Sequence, residues 1–225
     1  MLNDCLTNIS ATSISLIHGF SRINYLPIDL SSSNNELSIA ILENPKLHQE
    51  WIATRLRENG CSIAYGGYLE HRKLYDSSSH FQAGSDDDKR NIHLEIDLWC
   101  DAGSTVLAPM DGIIHSFKNN THFGDYGPTL ILEHHIKEYI FFTLYGHLNK
   151  DSLTDKYSGQ IIKEGEAFAQ LGNSKENGTY APHLHFQIIK DMQGRQGDYP
   201  GVCSKSQLDF YKQNCPDPNL LLKIY

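Results

Sequence analysis

Four of the chain's twelve histidines stand, with one aspartate, in three short motifs whose residue types can bind a metal ion or move a proton. The first is His93-Leu94-Glu95-Ile96-Asp97, the second Tyr145-Gly146-His147-Leu148, and the third Pro182-His183-Leu184-His185-Phe186. On an extended strand, residues i and i+2 share a face about 6.6 Å apart, so His183 and His185 point together while Leu184 and Phe186 turn away. Two imidazoles so placed can divide the work. One binds a zinc ion through a ring nitrogen at about 2.0–2.1 Å, and the other stands beside its open position. His93 and Asp97 are harder to unite, because four residues of regular strand span about 13 Å. They reach one ion only if the chain bends between them. Without a bend, the period-two pattern turns Leu94, Ile96 and Leu98 inward and leaves His93, Glu95 and Asp97 in solvent. Tyr145 shares a face with His147 if that segment is extended, and would add a further donor there.

The elements that must position these residues are short strands. From residue 92 onward the sequence breaks into alternating or β-branched runs at 92–98, 105–108, 112–117, 129–135, 139–145, 167–171 and 184–189, separated by Gly, Pro, Asn and Asp. That texture predicts an antiparallel β-sandwich or barrel-like core. Upstream, Asn44 and Pro45 read as the cap and first residue of an amphipathic helix. Its stripe is Leu47, Trp51, Ile52 and Leu56, and Gly60 ends it. Three regions follow: an extension over 1–85 with this helix near 45–59, a β-rich core over 86–190, and a tail over 191–225 that wraps the core.

With 225 residues, 40% of them apolar and 20% charged, the chain can bury a substantial core and is neither collagen-like nor disordered. No apolar run approaches the roughly 18 residues of a spanning helix. A net charge of −8 disfavours a sequence-independent grip on nucleic acid or an anionic membrane. The first twenty residues lack the charged start and apolar stretch of a secretory signal. The expectation is therefore a cytoplasmic protein, or an extracytoplasmic one if a leader has been removed. Five cysteines without a C-x-x-C pair read as reduced thiols, with Cys203 and Cys215 as the one pair to test for a bridge.

Taken together, His-x-x-x-Asp, Tyr-Gly-His-Leu about 50 residues on and Pro-His-Leu-His-Phe about 36 residues later resemble the lysostaphin-type, or LytM, zinc metalloendopeptidases. Asp101 to Pro109, Asp111-Gly112 and the stretch from Gly165 to Gly172 add to the likeness, which covers roughly residues 92–189. The resemblance implies a barrel-sandwich hybrid β core, a zinc held by His93, Asp97 and His185, and His147 and His183 as catalytic histidines. It also implies hydrolysis of a peptide bond by metal-activated water, with peptidoglycan cross-bridges or a related small peptide as substrate. The extension and tail look like those of a longer subgroup in which such a module occurs beside other enzymes. One departure stands out: the family usually has glycine at the centre of the first motif, where this chain has Glu95. Glycine bends easily and glutamate does not. Either Glu95 orients a ligand from outside the coordination sphere, or it is a solvated strand residue beside an intact site.

The other histidines read as surface or structural. His134 and His135 are adjacent and face opposite ways on a strand. His18, His48, His71, His80, His115 and His122 lack partners at useful spacing. The acidic run Asp86-Asp87-Asp88 with Lys89-Arg90 is a solvated loop or a polar lip to a substrate groove. Two other functions compete with the peptidase. One is a non-catalytic binding or regulatory module on the same fold, against which the full ligand set argues. The other is a barrel-sandwich hairpin module, suggested by the runs Val106 to Ile113 and Gly165 to Gly172: a lipoyl carrier, for which no tip lysine is in place, or a phosphocarrier, which would use a histidine pair without metal.

Overall fold

The computed structural model describes residues 1–9, 12, 14–72, 74, 88–122 and 124–225. His80, Asp86 and Asp87, and the boundary expected near residue 85, lie outside the described residues. The chain is mainly β. Strands β1 (Tyr25–Pro27), β2 (Ile63–Gly66), β4 (Ile96–Trp99), β6 (Gly112–Asn120), β7 (Gly127–Ile136), β8 (Tyr139–Gly146), β9 (Ile161–Ile162) and β11 (His183–Ile189) form one sheet in the order β1-β2-β4-β11-β8-β7-β6-β9. All its pairings are antiparallel except that of β1 with β2. Two small antiparallel sheets accompany it, β5 (Thr105–Leu107) with β10 (Ala167–Gln170) and β3 (Ile92–His93) with β12 (Val202–Cys203).

Alternation along the strands gives the large sheet its core face. Ile96, Leu98, Leu130, Leu132, Tyr145, Leu184, Phe186 and Ile188 form one buried cluster with Val106 and Phe168 of the small β5–β10 sheet. Each such side chain, fully removed from water, contributes about 1.5–3 kcal/mol before entropy is counted. Leu6, Leu16 and Ile17 from the extension and Leu221 and Leu222 from the tail join this cluster. A second cluster, on Ile131, Leu144 and Ile189, is closed by Met192, Tyr199, Cys203, Tyr211 and Cys215 of the tail. All five cysteines are free thiols, Cys203 and Cys215 included.

The expected helix is present as one of five among the described residues: α1 (Leu2–Ile9), α2 (Ile39–Leu42), α3 (Pro45–Asn59), α4 (Leu208–Asn214) and α5 (Asn219–Leu222). In α3 the Asn44 side chain accepts from the Lys46 and Leu47 amides, Pro45 takes the first position, and Gly60 ends the helix at a positive φ of 63°. Its inward stripe is shifted from the expected one. His48 and Ile52 are the buried positions, whereas Leu47 is 42% exposed. Among the described residues, no helix is long and apolar enough to cross a membrane.

A candidate metal centre

The bend required by the first motif exists. β3 stops at His93 and β4 starts at Ile96, and the intervening Leu94–Glu95 step is held from outside the motif. The His93 amide donates to the Glu70 carbonyl, the His93 carbonyl accepts from Leu69, and the Leu94 amide donates to the carbonyl of Gly201. Non-local hydrogen bonds thus do what a glycine would make easy. The solvated-strand alternative fails, because His93, Glu95 and Asp97 are all buried.

Register carries the other residues to the same place. On the face opposite the core, Gly66, Asp97, His185 and Gly146 lie side by side across β2, β4, β11 and β8, with Ala64, Trp99 and His183 as the neighbouring row. Glycine at 146 matters because a Cβ there would sit 2.9 Å from the Tyr126 ring and 3.3 Å from the His185 Cβ. The strand alternation ends at Gly146. His147 takes a left-handed φ of 61°, with its amide donating to the Tyr126 carbonyl at 2.8 Å and its carbonyl accepting from Gly172 at 2.9 Å. This conformation costs a non-glycine residue about 1–3 kcal/mol and marks a position fixed by its surroundings. It turns His147 over the sheet towards His183, the ring centroids 4.2 Å apart.

The same turn corrects the expectation for Tyr145. That residue points into the core, packs on Phe168 and Phe186, and holds its hydroxyl 2.9 Å from Thr143. The aromatic residues that do face the site come from loops, Tyr126 against His185 at 4.6 Å and Tyr180 against His147 at 5.0 Å.

At the centre, His93 Nε2 lies 3.1 Å from Asp97 Oδ2, and His185 Nδ1 lies 3.5 Å from Asp97 Oδ1. Ligands held at about 2.0–2.1 Å in a tetrahedron are separated by about 3.3 Å, so each imidazole nitrogen lies near that separation from one of the two Asp97 oxygens. Glu95 joins them, its Oε1 2.5 Å from His93 Nε2 and 3.1 Å from His185 Nδ1. One ligand atom from each of the four residues falls within 4.8 Å of the other three. His93 Nε2, Glu95 Oε1, Asp97 Oδ1 and His185 Nε2 are buried with no hydrogen-bond partner. Such orphaned atoms are rare in folded proteins and call for an ion. The donor set, imidazole and carboxylate, suits zinc.

Outer contacts fix three of the four rings, while His185 Nε2 is buried with no hydrogen-bond partner. His93 Nδ1 donates to the Gly67 carbonyl at 3.2 Å, which leaves Nε2 towards the centre. His147 Nδ1 donates to the Asn177 carbonyl at 2.6 Å and His183 Nδ1 to that of Ala181 at 2.7 Å, so both present an unprotonated Nε2. Burial, and then repulsion from His183, lowers the His147 pKa to about 3; burial likewise lowers that of His183. Burial also works against protonating His93, but the Glu95 and Asp97 carboxylates outweigh it and raise its pKa to about 9. Asp97 is held well below the usual carboxylate range, because His93 and Arg72 overcome the effect of its burial. The cluster therefore favours positive charge at its centre, which a divalent cation supplies.

Two residues that sequence reasoning left aside belong here. Arg72 Nη1 donates to Asp97 Oδ2 at 2.5 Å and its Nε to Glu70 Oε2 at 2.8 Å, while its guanidinium lies over Trp99 at 5.6 Å. His48 is buried beside Trp99, at 6.3 Å between ring centroids, and burial lowers its pKa to about 4. The spacing of His48 four residues before Ile52 was the one sequence signal that put it on the inward face of α3. No motif marked Arg72. Both line a cavity of about 540 Å³ together with Glu95, Asp97, His147, His183 and His185.

Residues 91–198 match the model of peptidase family M23. A comparison with curated proteins gave no match. Among solved structures, the catalytic domain of the antimicrobial peptidase lysostaphin from Staphylococcus simulans is 21% identical over 59% of this chain and 86% of its own, with a TM-score of 0.38. A zinc-containing peptidase from Vibrio cholerae is 26% identical over 48% of this chain and 32% of its own, with a TM-score of 0.36. A variant of the catalytic domain of the prophage-encoded M23 protein EnpA from Enterococcus faecalis is 18% identical over 57% and 92%, with a TM-score of 0.38. All three motifs lie inside residues 91–198, the span that matches the model of peptidase family M23.

Proposed function

We propose that this chain is a zinc-dependent endopeptidase that hydrolyses amide bonds in peptidoglycan cross-bridges or a related small peptide. The observation that carries the reading is the convergence of His93, Asp97 and His185, one ligand atom of each within 4.8 Å of the others, with two further imidazoles beside them. His93, Asp97 and His185 would hold the ion. When bound there, zinc lowers the pKa of a coordinated water from 15.7 to near 7 and polarises the scissile carbonyl.

The remaining steps belong to the chain's own side chains. His147 and His183 are neutral at working pH and carry their protons on Nδ1, so each Nε2 can accept a proton from the attacking water and return it to the leaving amine. Their fixed backbone partners, Asn177 and Ala181, keep those nitrogens in place without reorganisation during the reaction. Trp99, Tyr126 and Tyr180 line the cavity beside these imidazoles. Peptidoglycan as substrate class rests on the family match and the motif resemblance.

The test is metal content with turnover. Elemental analysis should find about one zinc per chain in the wild type and in His183→Ala, and almost none in Asp97→Ala. Release of free amino groups from peptidoglycan should be seen with the wild type and lost in both variants. A wild type that stays metal-free after zinc is supplied, or a His183→Ala variant with full turnover, would overturn the reading.

A further inference from the structure

The central position of the first motif has a side chain that reaches the metal-binding point itself. Glu95 Oε2 accepts from the Leu94 amide at 3.0 Å, which fixes the carboxylate and turns Oε1 inward. There Oε1 meets His93 Nε2 and His185 Nδ1 at 2.5 and 3.1 Å and has no hydrogen-bond partner of acceptable geometry. A carboxylate that merely orients a ligating imidazole bonds the nitrogen facing away from the metal. In His93 that nitrogen, Nδ1, is already taken by the Gly67 carbonyl, and Glu95 faces the ligating one.

Charge points the same way. With the imidazoles neutral and the carboxylates ionised, as metal binding requires, Glu70, Glu95 and Asp97 would place three negative charges around the Arg72 guanidinium in a buried cluster. A divalent ion brings the sum to zero with Glu95 present, and to +1 without it, before any hydroxide is added; buried charge is tolerated only when compensated. Space also favours the carboxylate. Gly201 roofs the point so closely that a Cβ there would sit 2.8 Å from His185 Cε1 and 3.1 Å from Glu95 Oε1.

We propose that Glu95 is a fourth metal ligand, binding through Oε1 at the position a catalytic site leaves to water, so that the site rests closed and opens when this carboxylate leaves. The proposal rests on the metallopeptidase reading above and adds to it a gate inside the ligand motif. A three-ligand catalytic site becomes, at rest, a four-ligand site of two imidazoles and two carboxylates.

The experiment uses the full chain loaded with cobalt(II), whose visible d–d bands report coordination, and acetohydroxamate as a probe for the open position. Metal affinity is measured alongside by competition with a chromophoric chelator, in wild type, Glu95→Gly and Glu95→Gln. If Glu95 holds the fourth position in about nine molecules of ten, acetohydroxamate binds about tenfold more weakly to the wild type than to Glu95→Gly, since apparent affinity scales with the competent fraction. Loss of the ligand also weakens cobalt binding by about 10–100-fold, on the scale of ligand-support mutations. Glu95→Gln, which keeps the volume and loses the charge, should fall between the two and carries the comparison if the glycine variant unfolds. Equal acetohydroxamate affinity in all three proteins, with or without a change in metal affinity, overturns the gate and leaves the metallopeptidase standing. Failure of the wild type to bind cobalt or zinc at all overturns both.

Discussion

Replacing Arg72 by methionine keeps the aliphatic stem and removes the guanidinium that joins the N-terminal segment to the metal centre. The side chains of Arg72 and Asp97 are 5% and 2% exposed, and Glu70, on the other side of Arg72, is 11% exposed. Breaking a buried pair by removing one partner costs about 3–5 kcal/mol, because the other charge is left unpaired in low dielectric. Here two carboxylates lose their partner, so the metal-free protein should lose stability in that range, a large share of the roughly 5–15 kcal/mol that holds a domain folded. Zinc should narrow the gap, because an ion on Asp97 supplies the charge that Arg72 supplied. Saturation at 100 times Kd adds about 2.7 kcal/mol, and the variant, freed of a competing cation, should bind zinc more tightly and gain more. Urea unfolding at pH 7 with and without zinc gives both differences, provided the slopes agree and the same surface is exposed on unfolding. A metal-free difference below about 1 kcal/mol, the value of a solvent-exposed pair, would refute the reasoning. So would a gap that zinc leaves unchanged.

Other consequences follow from residues outside the metal cluster. His134 is buried with Nδ1 donating to the Asp111 carbonyl at 2.8 Å, and burial lowers its pKa from 6.5 to about 4. Its contribution to stability is then complete above pH 6.5 and lost as pH falls towards 4, by about 3 kcal/mol. A His134→Gln variant should show that much less acid destabilisation in urea melts of metal-free protein, and parallel pH curves would dismiss the idea. Tyr145→Phe should leave kcat/KM within about twofold of wild type and cost about 1 kcal/mol of stability, since its hydroxyl is satisfied by Thr143 inside the core. A tenfold loss of activity would place that hydroxyl at the site after all. His48→Ala should raise KM with kcat and zinc content unchanged, because His48 lines the cavity without reaching the ligands; a loss of zinc would give it another role.

How much of this was legible in the sequence depended on how local each cause is. Helix α3 was readable at both ends because Asn44, Pro45 and Gly60 act within one turn of themselves. The shared face of His183 and His185 was readable because strand period alone decides it, and both rings do line the cavity. The fate of Tyr145 was not, because strand period was extended one residue too far: β8 ends at Gly146, and His147 takes its positive φ from hydrogen bonds to Tyr126 and Gly172. Glu95 was misjudged for a similar reason. A charged residue on a short strand is usually solvated, whereas this one is buried, with Gly201, over a hundred positions away, packed close to its Oε1.

The segment ahead of the matched span therefore does more than extend the sheet. β2 pairs with β4 so that Gly66 lies against Asp97, the Gly67 carbonyl holds His93 in its ligating orientation, and Arg72 holds the Asp97 oxygen opposite the one His185 approaches. From the other end, the tail places the Gly201 carbonyl on the Leu94 amide and thereby sets the bend. A motif read as His-x-x-x-Asp names the candidate ligands, yet its geometry is dictated by residues 67–72 and 201. Their contacts are largely through backbone atoms, which no side-chain pattern encodes. The same bend that lets His93 and Asp97 meet also aims Glu95 between them. In this chain, forming the site and placing a second carboxylate within reach of it are one structural event.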